Sequence, residues 1–269
     1  MTRTVGAVVR LTRDDVVMED RGFVAWIGAE LATLPGVIAV ALGGSRARDS
    51  HGPDSDWDLA IYYRQHFEPD ALREKGWPGE VSEIGGWGGG VMNGGAWLTV
   101  EGRRVDVHYR DLNEVEHWCA EANAGRFHKE LLLFYAAGIP TYVVMAELAL
   151  NVTLSGELPR PAYPDALARE AHRRWATDAV ASLRYGESAV RSRGDVAVGL
   201  ANGARGLIEA AHGRLAARRE WIVNEKQIVE RAGLEAEAEL LVAATNAVDL
   251  QAALRSLRQQ LEARPDSIR

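Results

Sequence analysis

Along residues 19–34 the apolar side chains fall at Phe23, Ile27, Leu31 and Leu34, with Trp26 and Ala29 widening the stripe. This helical period predicts an amphipathic helix, stopped by Pro35 and Gly36. The run VIAVALGG that follows is short, β-branched and apolar, and ends in a glycine pair, so it reads as a buried strand entering a tight turn. After a polar loop rich in Asp, Ser, Gly and Pro, WDLAIYY is again strand-like, and the charged segment 68–75 begins a short helix. Residues 84–96, IGGWGGGVMNGGA, carry glycines that weaken both helix and strand. They form a flexible hairpin loop or a loop that closes over a ligand. AWLTVEG and RRVDVHYR then alternate as two strands joined by a Glu-Gly turn.

The pattern changes after Asn113. ELLLFYAAGIP and TYVVMAELALN read as buried helical or mixed apolar segments, and a linker with Gly, Pro and Tyr runs from Ser155 to Pro164. Beyond Pro164 the helical period dominates, in DALAREAHRRWATDAVASLRYGESAVRSR, in DVAVGLANGARGLIEAAHGRLAARR and in shorter Ala/Leu/Glu segments to about Leu261. Strand signals almost vanish there, which predicts a helical bundle. The tail from Ala263 onward carries no pattern that predicts an element. The expected fold is α+β, a mixed sheet flanked by helices over 1–140 followed by a helical bundle over 141–269 that helps form a cleft.

Composition narrows the class. The 269 residues are 47% hydrophobic and 26% charged, which argues against disorder, collagen-like repeats and membrane embedding. No apolar run reaches the roughly 18 residues that a spanning helix needs, and charges interrupt the N-terminal segment MTRTVGAVVRLTRDD, so no signal peptide is expected and the compartment reads as cytoplasmic. The first 140 residues hold 14 basic and 21 acidic side chains, the remainder 17 of each. A broad basic surface for bulk nucleic acid is therefore not expected. The acidic excess is either a solvated face or includes carboxylates gathered around cations. Cys119 is the single cysteine and reads as a small buried hydrophobe.

Candidate chemistry concentrates in LGGSRARDSHGPDSDWDLAIY, residues 42–62. A strand ends at Gly43-Gly44-Ser45, where backbone N–H groups and a hydroxyl could face a phosphate. Asp56 and Asp58 open the next strand and, two residues apart, point to the same face. Their repulsion is costly without a cation between them. Asp106 stands between Val105 and Val107 on a later strand, and if that strand lies alongside, three carboxylates converge. Such a set suits two divalent cations that bridge a nucleotide's phosphates and an attacking hydroxyl. Asp54 reads as a turn former after Pro53, Arg48 as a solvated loop residue, and His51 and His108 as surface or supporting groups. Trp87 and Trp97 are either core residues or rings that stack on a base or sugar.

These elements resemble the DNA polymerase β-like nucleotidyltransferase superfamily. Gly44-Ser45, a spacer, Asp56-Trp57-Asp58 and later Val105-Asp106-Val107 match its pattern in order and spacing over residues 36–110. GSRAR followed by PDSDWDL is most similar to the small prokaryotic branch, which includes aminoglycoside nucleotidyltransferases and minimal nucleotidyltransferases. The resemblance implies transfer of a nucleoside monophosphate from an NTP, ATP first among them, to an acceptor hydroxyl, with release of pyrophosphate. It implies that Asp56 and Asp58 ligate two Mg²⁺ ions, and that Asp106 binds the ion that activates the acceptor. Ser45 would hold the β- or γ-phosphate, and Arg46 would neutralise charge on the leaving pyrophosphate. Trp221-Ile222-Val223-Asn224-Glu225-Lys226 is similar to an Asn-Glu-Lys element of some antibiotic-modifying relatives, which implies Lys226 as a triphosphate ligand and Glu225 as part of the acceptor site; an ordinary exposed helix is the other reading.

The expected acceptor is a small aminoglycoside-like molecule. A tRNA end or a protein hydroxyl is the alternative, with the Arg173/Arg174 and Arg218/Arg219 pairs as the basic groove that tRNA would require; a nucleotide-binding module without catalysis is a third. Base preference and oligomeric state are not specified by the sequence.

Overall fold

The computed structural model describes residues 19–88 and 90–263. The readings of the N-terminal 15 residues, of Gly89 and of the tail beyond Ala263 lie outside the described residues. The predicted first helix is α1, Asp20–Ala32. Its Phe23, Ile27 and Leu31 are fully buried against one face of a six-stranded sheet. That sheet runs β3 (Gly79–Val81), β4 (Gly95–Val100), β5 (Arg103–Asp111), β2 (Trp57–Tyr63), β1 (Val37–Leu42), β8 (Val152–Ser155). Neighbours are antiparallel except β2 and β5, which run parallel. The fold is α+β, with a mixed sheet and then helices, as expected.

The parallel pair sets the site. Its register places Asp58 beside Asp106, Ala60 beside His108 and Tyr62 beside Arg110. Alternation sends these six to one face, while Trp57, Leu59, Ile61, Val105, Val107 and Tyr109 enter the core beneath α1. The segment 68–75 holds α2, Pro69–Arg73, and the Glu101-Gly102 turn has positive φ at both residues, which suits a two-residue hairpin between right-twisted strands.

After β5 come α3 (Leu112–Asn123), the two-residue strands β6 (Lys129–Glu130) and β7 (Ile139–Pro140), and α4 (Val143–Leu150). α4 is buried almost all round and packs, with α3, on the site face of the sheet. One expectation fails here. ELLLFY is not a buried segment: Leu131, Leu133 and Phe134 are 86%, 75% and 89% exposed, and only Leu132 and Tyr135 pack inward. The β6–β7 ladder ends at Glu130 and Ile139, so the chain between is a loop that can bury only some of its side chains. β8 was not read from the sequence either; it is short, and it closes the β1 edge from beyond Pro140.

The helical region comprises α5 (Asp165–Arg193), α6 (Val196–Ala217), α7 (Ile228–Ala232), α8 (Glu235–Val242) and α9 (Ala247–Ala263). Gly194 caps α5 in the left-handed region, and the Asp195 carboxylate accepts from Val198 N at 3.1 Å to start α6. A Cβ on Gly206 would come within 2.8 Å of Leu183, so glycine there permits the close approach of these two helices. Among the described residues no helix is long and apolar enough to cross a membrane.

Candidate active site

The site lies where β1 ends and β2 begins, beneath the segment joining α6 to α7. Gly43 N donates to Asp58 O at 2.7 Å, which ties the glycine turn to β2. Gly44 has φ +62°, and a Cβ there would overlap the Asp58 carboxylate. Glycine therefore serves twice at this position, for the left-handed turn and for the space Asp58 occupies. The turn continues through Ser45 into a 3₁₀ segment, Arg46–Arg48, held by Ala47 N to Gly43 O at 3.2 Å and Ser50 N to Ser45 O at 3.0 Å.

Asp58, Asp106, Gly44, Ser45 and Lys226 line one cleft of about 950 Å³, and an adjoining hollow of about 440 Å³ brings Asp56 to the same corner. Burial raises the Asp58 pKa; Lys226 pulls it down and Asp56 pushes it up again. Burial likewise raises Asp106, to about 6, and both Asp58 and Asp56 add to the rise. These carboxylates thus repel one another across the cleft corner. Asp56 is turned aside, its Oδ1 2.5 Å from Arg104 Nε in an ion pair without hydrogen-bond geometry. Among the described residues no group of three or more His, Cys, Asp or Glu side chains is arranged as it stands to hold a metal ion. Asp58 and Asp106, side by side, are the part of the expected set that the structure brings together.

Cations face them. Lys226 is carried in by the loop before α7, where Asn224 Oδ1 accepts from its backbone N at 3.0 Å. Arg48 and Arg231 line the same cleft. Burial and the Arg48 charge both lower the Arg231 pKa, and Glu220 pulls it back up. Arg48 is exposed in its loop, in keeping with its reading as a solvated residue, and also borders the cleft, its Nε donating to Gly44 O at 3.1 Å. Arg46 does not border it. Its guanidinium lies 4.0 Å over the Trp57 ring, donates to Ser55 O at 2.9 and 3.2 Å and pairs with Asp20 at 3.1 Å. Trp57 points to the α1 face, so Arg46 braces the loop from behind.

Glu225 lines the cleft, and its carboxylate accepts from Ala136 N at 2.6 Å and Ala137 N at 3.0 Å. Burial works against its charge, yet His212 and those two N–H groups hold its pKa below the ordinary carboxylate range. It tethers the chain just after the 131–135 loop through Ala136 and Ala137. Trp87 and Trp97 stack on each other at 4.8 Å, and neither lines the cleft. The glycine-rich segment forms the β3–β4 connection and gives Met92 to the cleft. Burial pushes the Cys119 thiol up to about 11, as befits a small apolar residue. Of the residues proposed for a basic groove, Arg173 pairs with Glu170, Arg174 donates to Phe127 O, Arg218 donates to Arg231 O and Ala232 O, and Arg219 pairs with Asp165.

Deeper in, the floor carries His108 and Tyr62, with Arg110 buried beside Tyr62 on the same sheet face. Burial, and then the Arg110 charge, push His108 down to about 4. Arg110 makes a bidentate pair with Glu147 of α4, 2.6 Å at both nitrogens. Burial opposes the Glu147 charge, but Arg110 keeps its pKa below the usual carboxylate range. No sequence signal marked Arg231, Glu147 or Asn151 as cleft residues, because each reaches it only through tertiary packing.

Residues 25–88 match the family described as a nucleotidyltransferase domain. Over that stretch the chain is similar to such a domain. The match spans Gly44, Ser45, Asp56 and Asp58 and ends before Asp106 and Lys226. The matched stretch thus contributes the turn and the first two carboxylates, and the remainder of the cleft is built by later elements. A solved nucleotidyltransferase-like protein from Exiguobacterium sibiricum 255-15 is similar at 14% identity and a TM-score of 0.44, over 89% of this chain and 73% of that one. No curated protein matched.

Proposed function

We propose that the protein transfers a nucleoside monophosphate from an NTP to the hydroxyl of a small acceptor and releases pyrophosphate. One observation carries this: a single cleft sets two mutually repelling carboxylates, Asp58 and Asp106, against three cations, Arg48, Lys226 and Arg231. A divalent cation would relieve the repulsion between the carboxylates, and a polyphosphate would pair with the cations. Asp58 and Asp106 would hold the cation, joined by Asp56 once it leaves Arg104; hard carboxylate oxygens are the donors that Mg²⁺ prefers. When bound, Mg²⁺ polarises the α-phosphoryl group and acidifies the acceptor hydroxyl.

Ser45 and the turn after β1 lie on one side of Asp58, and Asp106 on the other, because β1 and β5 flank β2. The pyrophosphate portion therefore sits toward Ser45, Arg48, Lys226 and Arg231, and the acceptor approaches from the β5 side. The acceptor oxygen bonds to the α-phosphorus as the bond to the bridging oxygen breaks, and the electron pair leaves on pyrophosphate. Asp106, with its raised pKa, is placed to take the acceptor proton. Lys226 and Arg48 stabilise the charge that accumulates on the leaving group.

A small acceptor fits the size of the cleft, and the arginines proposed for a tRNA groove are engaged within the protein. The test is pyrophosphate release from labelled ATP, CTP, GTP or UTP with Mg²⁺ and pools of aminoglycosides, tRNA or protein. Release with the small-molecule pool, lost in Asp58→Asn, is expected. Label on RNA alone would remove the small acceptor, and release unchanged in Asp58→Asn would remove the mechanism.

A further inference from the structure

The cleft does not end at the carboxylates. Ala60 beside His108 and Tyr62 beside Arg110 extend its floor inward, by roughly 13 Å over four residues of strand. Apolar groups of Met92, Tyr135, Leu150, Ile208 and Val223 wall this inner end. Its charges, Arg110 and Glu147, cancel in their bidentate pair, so it offers no net charge to a cationic amine.

Two polar side chains there are unmatched. Asn151, at the end of α4 where the chain turns into β8, is 4% exposed, and neither Oδ1 nor Nδ2 has a hydrogen-bond partner. The Tyr62 hydroxyl makes a weak side-chain hydrogen-bonding contact with this amide, which pulls the Tyr62 pKa down against burial, but no bond of full geometry closes. His108 Nδ1 is also buried and without a partner. Buried amides are almost always satisfied, and one left open beside a cleft marks where a ligand completes it. A carboxamide presents an acceptor next to a donor, the complement of the hydrogen-bonding edge of a nucleobase.

We infer that this inner end receives the base of the NTP, a neutral planar heterocycle that Asn151 hydrogen-bonds between apolar walls, with His108 as a further partner. The inference rests on the nucleotidyltransferase activity proposed above. In this arrangement the triphosphate stays at Ser45 and Lys226, and the nucleoside runs inward over Ala60. Asn151 is a binding residue and touches none of the reacting atoms.

Calorimetric titration of the whole chain with each of the four NTPs and with tripolyphosphate, all with Mg²⁺, tests it without any acceptor. The tightest NTP should bind at least about tenfold better than tripolyphosphate. Asn151→Leu should weaken that NTP by about ten- to a hundredfold, the scale of a lost bidentate base contact, and leave tripolyphosphate unchanged. If Asn151→Leu does not fold, Asn151→Asp, which exchanges the donor for an acceptor at the same size, should still weaken the NTP selectively. Should NTP affinity survive both changes, or tripolyphosphate match every NTP, the base lies elsewhere and the inference fails while the nucleotidyltransferase reading stands. If neither NTP nor tripolyphosphate binds, both fail.

Discussion

The two faces of the β2–β5 pair share one backbone and one register but carry opposite burdens. Leu59, Ile61, Val105 and Val107 are buried beneath α1, where each contributes by leaving water. Asp58, Asp106 and His108, one residue away along the same strands, face the cleft, where burial penalises the charge of each. A strand can hold such groups in place because its other face anchors it. Stability and chemistry are thus interleaved at alternate positions, and neighbouring substitutions should have opposite signatures.

Asp58→Asn should make the largest difference, cutting pyrophosphate release by about three orders of magnitude while thermal unfolding stays cooperative. A comparable loss of stability would show that the open face is structural after all. Arg110→Met tests the limit of the division. Arg110 is on the cleft face, yet it neutralises buried Glu147, so its loss should cost about 3–5 kcal/mol in urea unfolding. A cost near zero would mean that water reaches Glu147. On the opposite face, Leu59→Ala should lose about 2–5 kcal/mol with kcat unchanged in the folded fraction.

Gly44→Ala should cost about 1–2 kcal/mol from the left-handed backbone alone, and its effect on activity should exceed its effect on stability because the new methyl displaces the Asp58 carboxylate. The smallest effect is a gain. Because Asp106 is raised from 3.8 to about 6, the fold disfavours its charged form. Asp106→Asn should therefore have a higher Tm than the parent at pH 8 with a chelator present. The difference should shrink as pH falls through 6 and vanish below about 4, where the carboxyl is neutral in folded and unfolded chains alike. Adding Mg²⁺ should raise the parent's Tm and leave the variant's unchanged; equal Tm values at pH 8 would show that Asp106 is not strained.

Patterns with a short period were legible in the sequence. α1, β1, β2, β4, β5, α5 and α6 follow from alternation or helical spacing, because local chain geometry creates those periods. Asp58 and Asp106 were legible for the same reason, a charge set within an apolar run. Arg46 and Arg48 part company because positions two apart in a 3₁₀ turn point to different sides: Arg46 folds back over Trp57 behind the loop, and Arg48 stays exposed at the cleft edge, a difference that only the packing of Trp57 decides. Leu131 and Phe134 misled because hydrophobicity says nothing about whether the surrounding chain leaves room to bury them. Arg231, Glu147 and Asn151 depend on how α4 and the helical region settle on the sheet, which no local window contains.

The placement of β8 reaches beyond the site. Val37–Leu42 is a run of aliphatic residues whose outer edge is covered by Val152–Ser155, a segment the chain supplies only after it has left the sheet and made α4. A fragment ending at Pro140 would present that run as a bare, uncharged edge, the kind that recruits further strands. During synthesis the same exposure lasts until Ser155 has emerged, so solubility of the nascent sheet hangs on four late residues rather than on the core that precedes them.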